Sequence, residues 1–179
     1  WEFGYTWSLF NESVLADATY FRNDFEDLIV WNPSLFILDN IGYARSAGVE
    51  VSLAWQFNEQ TRIDANYTLT DTIDRSTGAE LLRRPRHRAH IALTRALSNN
   101  KTEMGFSLGY TGSRLDNPPG LAQTELKHFM LLNLHANHQI DKHWLFFVRA
   151  QNITNESYEE IYGFGTPGAT VQAGLTLTR

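Results

Sequence analysis

The sequence of 179 residues contains no cysteine, which excludes disulfide bonds and cysteine-based metal centres. It also lacks an apolar run of about 18 residues, so it contains no candidate transmembrane helix. Basic charge is not in excess: the formal net charge is −5, and there is no cluster of the kind that marks a nucleic-acid-binding surface. These absences argue against helical membrane proteins, disulfide-stabilised domains and nucleic-acid partners.

Catalytic signatures are missing too. Neither G-x-S-x-G nor H-E-x-x-H occurs, and there is no glycine-rich phosphate loop. His87 and His90 are three residues apart, as are His135 and His138. In a strand this spacing places the members of each pair on opposite faces, so neither pair can share a metal ion. We therefore predict no enzyme, no metal site and no cofactor.

The dominant feature of the sequence is an alternation of large apolar side chains with small or polar ones. In the clearest run, Val51, Leu53 and Trp55 are separated by single small residues. A period of two is typical of a strand with one apolar face. We count nine such strands, near residues 1–9, 14–31, 48–57, 62–69, 84–97, 103–110, 132–137, 143–149 and 171–178.

The connections between these strands alternate between short and long. Short turns lie at Asn11–Ser13, Asn58–Gln60, Ser98–Asn100 and Asp141–Lys142, and longer loops lie near 32–39, 71–83, 113–125 and 154–167. This alternation is typical of outer-membrane barrels, which have tight periplasmic turns and long exterior loops. Because only one face of each strand is apolar, the mean hydropathy of −0.33 also fits. The predicted fold class is all-β, a transmembrane antiparallel β-barrel.

The odd number of strands predicts that residues 1–179 are one part of a larger barrel. Bacterial single-chain barrels have even strand numbers, and both chain ends lie in the periplasm. Nine strands place the start of the first strand at the cell exterior, so we expect about five or more further strands upstream. The alternative fold is a soluble β-sandwich, whose strands also alternate.

The parity of the alternation assigns side chains to two faces. Expected to face lipid are Val51, Leu53, Trp55, Tyr67, Phe106 and Leu108. Expected to face the lumen are Glu50, Ser52, Arg62, Asp64, Asn66, Arg88, His90 and Ser107. A lumen wall with charges of both signs suits contact with a folded domain better than it suits an ion-selective pore.

The segment 71–88 has the composition of an exterior loop followed by arginines where the chain re-enters the barrel. Guanidinium groups at a barrel mouth can bind phosphate, carboxylate or amide oxygens of a solute. The alternative is that these arginines pair with lipopolysaccharide phosphates or with lumen carboxylates such as Glu50 and Asp64. That alternative applies to Arg84, Arg86 and Arg88.

Several motifs occur in an order that resembles the C-terminal end of TonB-dependent receptors. They are Asn40–Glu50, Tyr67-Thr68-Leu69-Thr70-Asp71, Leu81-Leu82-Arg83-Arg84-Pro85, Tyr110-Thr111-Gly112-Ser113-Arg114, Asn152–Glu159 and Tyr162–Gly168. The resemblance covers nearly the whole chain. Within the superfamily, the Leu-Leu-Arg-Arg element and the Tyr162–Gly168 segment look most like the cobalamin receptors, although siderophore receptors share much of the pattern. These barrels usually end in an aromatic residue, whereas this chain ends in Arg179.

The resemblance implies a function and a set of partners. It implies that residues 1–179 are the C-terminal part of a 22-stranded barrel in the outer membrane of a Gram-negative bacterium, with a plug domain that is absent from this chain. It implies TonB-coupled import of a large, scarce solute, with cobalamin as the first expectation and a siderophore–iron complex as the alternative. Arg83, Arg114 and Asp116 are then expected to face the solute.

Two other functions stay open on the sequence. One is a complete small barrel that serves as a structural anchor or adhesin. The other is a passive porin. An upstream plug domain would separate both from an active transporter.

Overall fold

The structure, a computed structural model, describes residues 1–32, 36–97 and 101–178. The strands are β1 (Glu2–Leu9), β2 (Val14–Asn32), β3 (Ile37–Asn58), β4 (Thr61–Asp74), β5 (His87–Ala96), β6 (Thr102–Thr111), β7 (Arg114–Asp116), β8 (Thr124–Leu126), β9 (Phe129–Gln139), β10 (Trp144–Gln151) and β11 (Thr170–Leu177). No helix in these ranges is long and apolar enough to cross a membrane.

Nine strands form one antiparallel sheet in the order β1-β2-β3-β4-β5-β6-β9-β10-β11. This confirms the predicted all-β fold and the predicted number of strands in the sheet. The remaining two, β7 and β8, pair as a separate ribbon within the connection between β6 and β9. A sandwich requires a second sheet packed against the first, and the described residues form only this sheet and the short ribbon, so the sandwich alternative is wrong.

Strand β2 agrees with the predicted range 14–31, whereas β3 begins well before its predicted start at residue 48. The two strands have 19 and 22 residues, and their pairing runs from Val14 opposite Trp55 to Asn32 opposite Ile37. A transmembrane strand needs about 9–11 residues, so this hairpin extends well beyond a bilayer. The pattern does not predict strand over 37–47, because Ala44-Arg45-Ser46-Ala47 interrupts the apolar alternation.

The register keeps the two sets of side chains on opposite faces. Leu53 lies opposite Ala16 and Ala65, which belong to the apolar set. Ser52 lies opposite Asp17 and donates its hydroxyl to that carboxylate at 2.9 Å. All five charged residues of the expected lumen set, Glu50, Arg62, Asp64, Arg88 and His90, share the polar face by this register. That this face lines a lumen stays a prediction.

In β10 an aromatic residue breaks the alternation, and the structure explains how it is accommodated. Phe147 lies on the polar face opposite Asn137 and Gly174. Its ring packs on Gly174, where an added Cβ would come within 2.6 Å of it. The Arg149 guanidinium lies 5.6 Å from the ring centroid, a cation–π contact. A glycine and an arginine therefore enclose this apolar ring among polar neighbours.

Some sequence predictions fall outside the described residues. These are the Ser98–Asn100 turn, part of the loop expected near 32–39, and Arg179. The other predicted short turns separate β1 from β2, β3 from β4 and β9 from β10.

We expect an arginine at Leu53 to destabilise the membrane-inserted protein by about 2–4 kcal/mol, since this site lies on the apolar face near the middle of the predicted membrane-spanning stretch 48–57. Arginine at Ser52 should cost much less, because the opposite face is polar and Asp17 is adjacent. The measurement is the urea unfolding midpoint of the two variants of the full-length protein in lipid vesicles. Equal losses in both variants would contradict the assignment of faces.

The strands β1 and β11 each have one neighbour in the described sheet. Their outer edges therefore present unpaired backbone groups, which cost several kcal/mol each in lipid. We expect the excised 179 residues to aggregate or to pair edge to edge in detergent. Size-exclusion chromatography with light scattering tests this, and a monodisperse monomer would instead favour the complete small barrel.

Candidate functional site

A recess of about 450 Å³ lies on the polar face, at the end of the sheet that carries the long connections. Glu50 of β3 and Arg88 of β5 contribute from the strands, and Arg83 and Arg84 contribute from the loop that precedes β5. Phe25 adds an aromatic wall. The remaining lining residues are Leu28, Ser46, Thr68, Thr70, Thr72, Leu81 and Pro85. Three guanidinium groups and one carboxylate thus surround one cavity.

Arg83 is held in place at both its backbone and its side chain. Its φ of 58° lies in the left-handed region, which is uncommon for a residue other than glycine. Its N–H donates to the carbonyl of Leu115 at 2.7 Å, and its Nε donates to Oδ1 of Asp116 at 2.7 Å. The side chain is 43% exposed, so the terminal guanidinium nitrogens remain accessible from the recess.

Asp116, at the end of β7, is completely buried. Besides Arg83, its carboxylate accepts hydrogen bonds from the backbone N–H groups of Tyr162 and Asn117, both at 2.9 Å. Burial raises the pKa of the Asp116 carboxyl, but these three donors outweigh it and hold the pKa below the ordinary value of 3.8. The charged contact therefore contributes stability at neutral pH and is lost only as the pH falls through that lowered pKa.

Arg114, two residues earlier, is buried as well. It donates to the carbonyl oxygens of Glu159 and Gly112, and its guanidinium lies 5.3 Å from the centroid of the Phe129 ring. Phe129 in turn packs on Tyr158, with 4.2 Å between the ring centroids. Burial lowers the pKa of Arg114, but arginine stays charged at neutral pH. Arg114 therefore joins the β7–β8 ribbon to the loop 152–169.

Asn152 organises the loop 152–169 internally. Its Nδ2 donates to the carbonyls of Glu156 at 2.9 Å and Pro167 at 3.2 Å, and its Oδ1 accepts from the Glu156 N–H at 2.9 Å. Only 5% of Asn152 is exposed. One buried side chain thus holds three backbone groups of this loop together.

The structure brings the three expected solute-facing residues together. Arg83 and Asp116 form an ion pair, and Arg114 lies in the same ribbon as Asp116. Arg83 lines the recess, whereas Arg114 and Asp116 are enclosed by loop backbone. Sequence reasoning includes Asn152 and Tyr162 in the family-like motifs but assigns neither of them a role, and no local pattern marks the Tyr162 N–H as a partner 46 residues from Asp116.

The other arginines of this segment do not pair with Glu50 or Asp64 in the part of the chain that the structure describes. Arg86 pairs with Asp71 at 2.7 Å, and Asp64 pairs with Arg62 at 2.7 Å. In the same ranges, Arg84 and Arg88 form no ion pair within 4.0 Å. No group of three potential metal ligands is found among the described residues either.

A single-layer antiparallel sheet with one apolar face, short turns at one end and packed loops at the other defines the wall of a transmembrane β-barrel. The family model described as "TonB dependent receptor-like, beta-barrel" matches residues 1–153, and the chain therefore belongs to the TonB-dependent receptor β-barrel family. This family consists of outer-membrane barrels of Gram-negative bacteria, which are transporters rather than enzymes.

Solved structures of this fold are similar over 98% of the chain. They include a ferric enterobactin receptor mutant from Pseudomonas aeruginosa (TM-score 0.80, 18% identity), the ferripyoverdine receptor of the same species (0.78, 16%) and the copper transporter OprC (0.77, 16%). The chain spans 30%, 26% and 30% of their respective lengths. At these identities the likeness establishes the fold alone.

We expect Asn152→Asp to loosen the loop 152–169, because the substitution removes the donors to Glu156 and Pro167 and sets carboxylate against carbonyl oxygens. Losing these two part-buried hydrogen bonds costs about 1–3 kcal/mol. Limited proteolysis of the full-length protein should show faster cleavage in this loop. The matched control is Thr154→Ala, an exposed site in the same loop, which should be cleaved like the parent. Equal cleavage of both variants would contradict the assigned role.

Proposed function

We propose that the receptor containing this chain imports an iron–siderophore complex, with energy supplied through the inner-membrane TonB complex. Family membership and the iron–siderophore receptors among the similar structures support this class of solute. A 22-stranded barrel and a plug domain that packs on the polar face belong to the same proposal. Glu50, Arg62, Asp64, Arg88 and His90 form the wall that contacts the plug.

The observation that carries the proposal is the charge of the recess. Arg83, Arg84 and Arg88 line the recess with the single Glu50. Because Arg83 is paired with Asp116, these groups leave an excess of one positive charge at the exterior end of the polar face, carried by Arg84 and Arg88. Chelators that bind ferric iron through catecholate or carboxylate oxygens carry negative charge. A positive cleft raises the local concentration of such anions and speeds their association.

Within the recess, Arg83 is proposed to contact the solute directly. Its Nε is already bonded to Asp116, and its terminal nitrogens offer further donors of fixed direction. Arg114 and Asp116 support this contact from behind rather than touching the solute themselves, since both are buried. Arg86 does not line the recess and pairs instead with the exposed Asp71, a position suited to lipopolysaccharide phosphates.

Cobalamin is the second candidate solute. It rests on the resemblance of Leu81-Leu82-Arg83-Arg84 and Tyr162–Gly168 to the cobalamin receptors. Its amide oxygens and its phosphodiester could also accept hydrogen bonds from Arg83 and Arg84. The positive recess and the similar siderophore receptors favour the iron complex.

We expect Arg83→Gly to weaken binding of a ferric siderophore about ten-fold or more, the cost of losing a charge-assisted hydrogen bond. Glycine is chosen because it accepts the positive φ at this position without strain. The control is Arg95→Ala, in β5 close to its opposite end, which should bind like the parent. Whole cells with matched surface expression are titrated with ferric enterobactin, ferripyoverdine and cyanocobalamin.

The parent protein decides between the solutes in the same experiment. Binding of either ferric complex supports the proposal. Binding of cyanocobalamin alone would replace it with the cobalamin alternative, and binding of none of the three would overturn both. If Arg83→Gly binds like Arg95→Ala, Arg83 is not a solute contact.

A further inference from the structure

The Asp116 carboxylate contacts two separate exterior loops at once. Its Oδ1 accepts from the Arg83 side chain, in the loop before β5, and its Oδ2 accepts from the backbone N–H of Tyr162, in the loop 152–169. The sequence separations are 33 and 46 residues. No strand pairing joins these two loops to each other in the described sheet, so the β7–β8 ribbon and its carboxylate connect them.

The burial of Asp116 makes these contacts interdependent. A buried carboxylate needs its donors, because losing one leaves a desolvated charge uncompensated. If the loop 152–169 moves away, Asp116 loses the Tyr162 N–H and depends more on Arg83. If Arg83 turns away, Asp116 keeps only backbone donors. Either displacement therefore changes the energy of the other contact.

Arg83 connects the Asp116 contacts to the recess, because a change in these contacts alters the orientation of its guanidinium. Its backbone N–H is bonded to Leu115, the residue before Asp116, and its Nε is bonded to Asp116 itself. The orientation of the guanidinium therefore follows the ribbon. The same guanidinium lines the recess.

We infer that Asp116 is a positioning residue that couples the recess to the loop 152–169, so that the orientation of Arg83 and the position of this loop change together. The consequence for the solute rests on the proposed function: a solute held by Arg83 stabilises the loop, and by reciprocity an ordered loop raises the affinity for the solute. The link between the loops itself does not depend on the identity of the solute.

Asp74 provides a matched control. It is another exterior carboxylate, at the end of β4, but its acceptors are used within its own turn: the N–H and hydroxyl of Thr77 and the N–H of Ser76. Burial raises the pKa of Asp74, but these local bonds outweigh it and hold the pKa below the ordinary value, as at Asp116. Asp74→Asn therefore removes a hydrogen-bonded carboxylate without touching a second loop.

The first experiment measures the distance between the loops without solute. Spin labels are attached to cysteines introduced at Glu80 and Phe164, both exposed, in the full-length receptor. We expect Asp116→Asn to broaden the distance distribution, because asparagine keeps only one acceptor oxygen and so cannot accept from both Arg83 and Tyr162. Asp74→Asn should leave it unchanged. An unchanged distribution in Asp116→Asn would overturn the coupling.

If Asp116→Asn does not reach the outer membrane, Arg83→Gly replaces it in the distance measurement. That variant removes the guanidinium while the left-handed backbone remains favourable. We expect the same broadening, and an unchanged distribution would again overturn the inference.

The second experiment separates positioning from simple loop stability. Asp116→Asn should weaken binding of ferric enterobactin about ten-fold in the parent, but should have little further effect in the Arg83→Gly background. Additive losses would show that Asp116 acts independently of Arg83 and would overturn its role as a positioning residue. A parent that binds none of the solutes overturns the proposed function, and the distance measurement still decides the coupling of the loops.

Discussion

Backbone hydrogen bonding between antiparallel strands is the constraint on which the rest of the structure depends. In lipid no water satisfies an exposed N–H or C=O group, so every strand within the bilayer requires a neighbour on both sides. The sheet order is sequential, with only the β7–β8 ribbon outside it among the described strands. Each register is then fixed by the need to keep one face apolar, since a shift by one residue would exchange the faces.

Beyond the bilayer this constraint no longer applies, and buried side chains provide hydrogen bonds to the backbone groups of the loops. Arg114 and Asn152 bond to backbone carbonyls, and Asp116 bonds to backbone N–H groups, so each compensates for missing strand partners. Such residues are costly to bury and are stable only when fully bonded. The loops at this end are therefore packed into a defined surface, and their packing determines the shape of the recess.

The sequence predicts the sheet well because the relevant information is local. Strict alternation marks β3 around Leu53 and β6 around Phe106, and polar turns separate neighbouring strands. It does not predict the β7–β8 ribbon, because Arg114–Asp116 and Thr124–Leu126 are each three residues long and have no visible period. Resemblance indicates that Arg83, Arg114 and Asp116 act near the solute. The burial of Asp116 could not be predicted, since it depends on Tyr162 being folded back over the ribbon.

The distribution of arginine partners supports the proposal that the recess, rather than the strand wall, recognises the solute. On the strands several guanidinium groups have a carboxylate partner: Asp24 lies within 4.0 Å of Arg22, Arg45 and Arg75, and Asp64 binds Arg62. Exposed pairs of this kind add little stability, but they cancel charge locally. Arg84 and Arg88 have no such partner among the described residues, although both line the recess. Uncompensated positive charge so close to the packed loops is unfavourable for folding, and an anionic solute would relieve that repulsion on binding.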